Sequence, residues 1–229
     1  MAMAKYLSYQ GTTIPYYLTI KKQKNIVLNV SSGEIKISAP AHAQDWEIEM
    51  LLYKNIKKIL SVVNDHNNYR KIYWNQAGTG YLILFDQKYP LQLTSDNVYS
   101  KIIDHEAFLI KTAGSEEENI KRIHTFLKQK FYYKFEQLLN KWAKIMDLEY
   151  KNLTVKSMKR KWGVCYPESK KIVLNIKLIH FDPSVLEYVI VHELSHLVHH
   201  NHSKAFWHYV EKYFPTYREK MNILKRPGI

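Results

Sequence analysis

A single cysteine, Cys165, stands in a chain of 229 residues, so no disulfide can form within it. That scarcity argues against a disulfide-stapled secreted scaffold and makes a cytoplasmic location the expectation. No apolar run approaches the length of a membrane span, and the opening Met-Ala-Met-Ala-Lys-Tyr has no hydrophobic signal core. Acidic residues are the scarcer charge, 21 against 34 Lys and Arg, for a formal net charge of +13. There is neither a Walker-type glycine loop nor a carboxylate cluster suited to magnesium. Their absence weighs against nucleotide chemistry.

What is present describes a folded protein. Hydrophobic residues make up 46% and aromatics 14% of the chain, too many for disorder, and the length allows one large or two small domains. The first forty residues alternate as strands. Ile26, Leu28 and Val30 lead through a turn at Ser31-Ser32-Gly33-Glu34 to Ile35 and Ile37, which predicts an antiparallel meander. A helix follows over about 45–63, with Ile48, Leu51, Leu52, Ile56, Ile59 and Val63 at helical spacing, and then a loop at 66–70. Strands return between about 71 and 112, among them 81–85, 89–94, 98–103 and 107–111. Gly114 breaks the pattern, and Ser115 to Glu118 form a capping box opening a long helix to about Met146, with Ile145 among its apolar positions. The expected fold is α+β. A strand-rich domain over 1–113 carries one helix, and a second domain over 114–229 combines helices with a small sheet.

The chemistry is concentrated near the end, in Val189-Ile-Val-His192-Glu193-Leu-Ser-His196. Histidines four apart share one face of a helix, and a divalent metal can bridge them. Glu193, next to the first, is placed to take a proton from a metal-bound water. The surrounding run Leu186 to Val191, with Leu194 and Leu197, predicts a buried helix, where such polar groups need a reason to be. Six of the eleven histidines fall between His192 and His208, so an adventitious His-rich tract is the competing reading.

Catalytic zinc takes three protein ligands and keeps one open position. His199 lies seven residues beyond His192, a rise of roughly 10 Å on a regular helix, too far to share an ion. His200 is turned away from His196. His202 follows Asn201, where a left-handed residue would end the helix and swing the chain back. His202 is therefore the expected third ligand, with Glu211 as runner-up, and Ser203 caps the next helix. Upstream, residues 151–177 carry eight basic side chains against Glu168 alone, which is +7 of the total charge. Such a segment is either a solvated face or an attractor for nucleotide phosphate, nucleic acid or acidic peptide. Short strands are expected near 154–158, 162–165 and 172–174, and an edge strand beside the metal could pair with an extended peptide.

Ser157-Met-Lys-Arg-Lys-Trp-Gly-Val-Cys165, Val173-Leu-Asn175, His192-Glu-Leu-Ser-His196 and Asn201-His-Ser203 with Phe206-Trp207 resemble the YgjP-like metallopeptidase-domain family, related to the SprT-type zincins. The resemblance is dense from about Lys151 to Leu224. It implies a zincin-like domain, Zn2+ held by His192, His196 and His202, and Glu193 as the catalytic glutamate. Lys159, Arg160, Trp162 and Gly163 become candidate substrate-binding residues. Val164 stands where the family usually has serine, and Cys165 retains the family's cysteine, read here as a packing residue. The implied function is a zinc-dependent peptidase acting on a peptide or protein. Two alternatives stay open: a metal-dependent nucleoside triphosphate pyrophosphatase acting on UTP, and a non-enzymatic, nucleic-acid-associated module with a structural zinc.

Overall fold

Each group of alternating residues in the first seventy positions forms a strand in the computed structural model, which describes residues 2–31, 33–68, 71–96, 99–103, 107–112 and 114–225. The chain divides into two compact units, one built on Met1–Arg70 and the other on Lys71–Lys225. In the first, β1 (Met3–Tyr9), β2 (Thr12–Ile20), β3 (Val27–Ser31) and β4 (Glu34–Ala39) precede α1 (Asp45–Asn68). Alternation puts Leu7, Ile14, Tyr16, Leu18, Ile35 and Ile37 on one face of the sheet. Ile48, Leu52, Ile56 and Ile59 of α1 cover that face. Each such burial contributes on the order of 1.5–3 kcal/mol.

The sheet order is β1-β2-β4-β3, and β2 runs parallel to β4, so the expected antiparallel meander does not form. β3 returns along the outer edge of β4. Helix α1 also runs on to Asn68, through part of the segment expected to be a loop, whose last residues, 69–70, lie outside the described ones.

The second unit opens with β5 (Ile72–Trp74), β6 (Thr79–Leu84), β7 (Gln87–Thr94), β8 (Lys101–Ile103) and β9 (Ala107–Lys111), followed by α2 (Glu116–Met146). Residues 97–98 of the expected 98–103 strand and its preceding turn lie outside the described set. The order is β5-β6-β7-β9-β8, with β7 parallel to β9. Leaving β5 aside, this repeats the first unit: a hairpin, a parallel neighbour, an outer antiparallel strand and a long helix. Both hairpins turn on two left-handed residues, Gln10-Gly11 (φ 50° and 77°) and Phe85-Asp86 (49° and 64°). Tyr6 pairs with Pro15 in one, and Tyr81 with Pro90 in the other. Each proline precedes the point where the parallel partner begins, at Tyr17 and Leu91, so its missing N–H leaves no ladder bond unmade.

α2 begins as expected, with Ser115 Oγ accepting from the Glu118 N–H and Glu118 Oε2 accepting from the Ser115 N–H. Ile145 is 49% exposed, and Ala143 and Met146 are the buried residues of that turn. Beyond α2 come β10 (Asn152–Lys156), β11 (Gly163–Tyr166), β12 (Lys171–Asn175), a 3-10 helix (Ile176–His180), α3 (Pro183–Ser195), α4 (Lys204–Tyr213) and α5 (Tyr217–Leu224). The small sheet has the order β10-β12-β11, leaving β11 at an edge.

One core joins Leu82, Leu91 and Ile110 of the larger sheet to Ile123 and Leu139 of α2 and Val185, Leu186 and Ile190 of α3. The units therefore divide at Arg70–Lys71, whereas the boundary read at Gly114 falls inside the second of them. The hairpin end of β6 is tied to the 3-10 helix by Phe85 N–H donating to the Ile179 carbonyl (2.7 Å) and His180 Nδ1 donating to that of Ile83 (2.6 Å). His180 Nε2 then accepts from His124 Nε2 at 3.0 Å, both rings being buried. Among the described residues no helix is long and apolar enough to cross a membrane.

Candidate metal centre

α3 is apolar nearly all round, with Val185, Leu186, Val189, Ile190, Val191 and Leu194 buried, so it runs through the core. Asp182 caps its start and Pro183 occupies the first turn. The helix ends at Ser195, earlier than its apolar run suggests. His196, Leu197 and Val198 donate to carbonyls three residues back, tightening the chain before His199. The chain bends again at residues 200 and 201, and Asn201 is not left-handed; its Oδ1 accepts from the Ser203 N–H at 3.2 Å instead. Ser203 in turn caps α4, as expected.

That reversal brings His202 to the motif. Ligand atoms of His192, His196 and His202 lie within 4.8 Å of one another, the one such cluster of three or more possible ligands among the described residues. Nε2 of His192 and His202 are 3.1 Å apart, close to the roughly 3.4 Å between donors of a tetrahedral zinc site. His196 Nδ1 donates to the His199 carbonyl at 3.0 Å, leaving Nε2 for a ligand. Buried Phe206 lies under the cluster, stacked on His196 at 4.5 Å, with Trp207 alongside His192 and His202. Burial and the neighbouring histidines push His192 down to about 3, and burial also holds His196 below its ordinary value. Three imidazoles whose nitrogens converge in this way are what a divalent cation needs, so these residues fit one. His192 Nδ1 is buried without a partner.

The other candidates lie elsewhere. His199 packs its ring against Tyr209, His200 is exposed, and Glu211 faces Arg218 at 3.7 Å. His199 is thus outside the cluster because of where the reversal sends it.

Glu193 is 5% exposed and wedged against β11. A Cβ on Gly163 would meet Glu193 Oε1 at 2.4 Å, so only glycine allows this approach. Burial pushes the Glu193 carboxyl up to about 8, opposed by a hydrogen bond from the Cys165 N–H and by the Lys161 cation. The Cys165 thiol is pushed up to about 12 by burial and by Glu193, which keeps it protonated and unsuited to nucleophilic attack.

Residues 158–162, leading into β11, are shaped by buried Asn175. Its Nδ2 donates to the carbonyls of Met158 (2.9 Å) and Lys161 (2.8 Å), and its Oδ1 accepts from Met158 N–H and Lys177 N–H. The expected Trp162 and Gly163 line a cleft of about 380 Å³ beside His192 and Glu193, but its basic lining residues are Lys161 and Lys225 rather than Lys159 or Arg160. Tyr188, Trp207, Met221 and Leu224 also line it and were not singled out as substrate-binding from sequence. Tyr188 was the findable one, lying one helical turn before His192 on the same face. Of the basic segment, Lys170 faces Glu149 at 3.4 Å and Lys177 is half-buried.

A buried helix bearing this motif, with a third histidine returned to it, is the mark of a metal-dependent hydrolase. The chain belongs to the YgjP-like, metallopeptidase domain family, whose profile matches residues 24–227. Among solved structures, the metallopeptidase zymogen abylysin of Pyrococcus abyssi is 25% identical, covering 42% of this chain and 99% of its own, with a TM-score of 0.37. The zymogen of Methanocaldococcus jannaschii jannalysin is 26% identical, covering 39% and 92%, with a TM-score of 0.36. No curated protein matches the chain.

Proposed function

We propose that the protein is a zinc-dependent peptidase in which His192, His196 and His202 hold the metal and Glu193 is the general base. The observation that supports this reading is the buried Glu193 carboxyl, which lines the same cleft as His192 and lies against Gly163 of an edge strand. A purely structural metal would have no use for an acid–base group there. Three imidazoles are a known ligand set for catalytic zinc, and the bound ion supplies Lewis acidity to a carbonyl and to water. Glu193 takes the proton of the attacking water on a carboxylate oxygen and returns it to the departing amine. Burial holds this carboxyl up at about 8, and the Cys165 N–H and Lys161 oppose that rise, favouring the ionised form that a base requires. β11 offers its open edge to an extended peptide, which backbone pairing would hold across the cleft.

The test is a hydrolysis panel of peptides and nucleoside triphosphates, UTP included, on protein of verified metal content. Peptide cleavage is expected, with Glu193→Gln retaining metal and losing about 100- to 10,000-fold in kcat. Cleavage of triphosphates alone, or a metal-loaded Glu193→Gln protein of undiminished activity, overturns the reading.

A further inference from the structure

The cleft beside Glu193 has the character of a site for a side chain. At about 380 Å³ it sits at the low end of the roughly 300–1,000 Å³ of small-ligand pockets, room for one large group rather than a long segment. Its walls are aromatic and braced from behind. Trp162 meets Phe181 edge-on at 5.4 Å, and Trp207 stacks on Tyr217 at 5.3 Å. Tyr188, 5% exposed, is fixed in α3. The remaining wall comes from α5, through Met221 and Leu224, which stay only partly buried. Gly163 adds no side chain, so nothing separates this apolar space from the Glu193 carboxylate. Lys161 and Lys225 on the same lining disfavour a basic occupant.

We propose that this cleft is the subsite for one bulky apolar side chain next to the scissile bond, and that Met221 and Leu224 set its depth. The assignment rests on the peptidase reading, and it makes α5 the specificity element of the protein. Walls already braced need no reordering when the side chain enters, so selectivity follows from size and polarity.

The experiment uses peptides identical except at one position, bearing Phe, Leu, Ala or Arg. Binding is measured to zinc-loaded Glu193→Gln protein, and kcat/KM is measured with the zinc-loaded wild type. Phe and Leu are expected to exceed Ala by about 10- to 200-fold in both measurements, the range for apolar groups in a fitted pocket. Arg should fall with Ala or below it. Leu224→Trp fills the space, and the Phe-to-Ala ratio should collapse towards one. Met221→Trp, one turn earlier on the same wall, repeats the test should the first variant not fold. Equal binding of Phe and Ala, or a ratio unmoved in folded filled variants, overturns the assignment. The expected binding preference in the Glu193→Gln protein, with no hydrolysis of any peptide by the wild type, keeps the cleft as a site for an apolar side chain and overturns both its place beside a scissile bond and the peptidase reading.

Discussion

The two halves of this chain start from the same architectural unit and use it differently. In the first, β1 to β4 and α1 close a core of their own, with no member of the histidine cluster. In the second, β6 to β9 and α2 leave their apolar surface to be completed by α3, and that helix carries His192, with His196 at its C-terminal cap. Matching positions show the kinship: Leu7 and Leu82, Leu18 and Leu93, Ile37 and Ile110 are all buried. The lesson is that a β-rich repeat becomes part of an active-site scaffold when one side of it is shared. Fold alone does not distinguish the halves; what the repeat packs against does.

The largest effect that sharpens this contrast is at the metal. His202 is exposed, so His202→Ala should leave the fold intact while lowering metal affinity by more than about 100-fold, since losing even an outer-shell partner costs 10- to 100-fold. Metal content after dialysis against a weak chelator, read beside circular dichroism, measures it. His199→Ala and His200→Ala should retain one ion. Metal lost from folded Glu211→Ala but kept in His202→Ala would move the third ligand to α4.

Next come the matched core positions. Leu7→Ala and Leu82→Ala should each cost about 2–5 kcal/mol. In calorimetry, only the transition shifted by Leu82→Ala should also rise with added zinc, because that unit holds the histidine cluster. Equal zinc sensitivity of both transitions would erase the functional distinction between the repeats.

A smaller effect concerns acid. His124 and His180 have no counterpart in the first core, and burial pushes His180 down to about 4 and His124 well below its ordinary value. The unfolded chain therefore takes up protons first as the pH falls, and stability drops between about pH 6.5 and 4, by on the order of 3 kcal/mol for His180. Lys71 and Lys177 nearby act in the same direction. Replacing His124 by Leu and His180 by Asn together should flatten that slope relative to the wild type. An unchanged slope would assign the acid sensitivity to other groups.

Much of the site was legible because it depends on short spacing. Histidines four apart, a glutamate between them and a cap three residues before Phe206 are local features. The caps at Ser115, Asp182 and Ser203 are equally local. Strand partners are not. Alternation marks β2 and β4 as strands, but only the packing of the whole unit makes them parallel neighbours. The unit boundary eluded the sequence for a related reason. Gly114 marks a break in regular structure, whereas a shared core decides which elements belong together. The end of α3 was misjudged because the apolar run through Val198 continues past the last helical residue, Ser195. The cleft wall at Met221 and Leu224 is remote in sequence from every motif.

The two hairpin turns also carry a consequence for how the second is braced. The second residues of the turns differ: Gly11 adopts its left-handed conformation freely, whereas Asp86 carries a side chain there. The first residues, Gln10 and Phe85, at φ 50° and 49°, each resist it by roughly 1–2 kcal/mol. The hairpin of Phe85 is held by partners distant in sequence: the Ile179 carbonyl that takes the Phe85 N–H, and Phe131, whose ring meets that of Phe85 at 6.0 Å. The second turn is thus anchored to α2 and to the segment leading to α3, so the hairpin nearest the histidines is braced by contacts long in sequence.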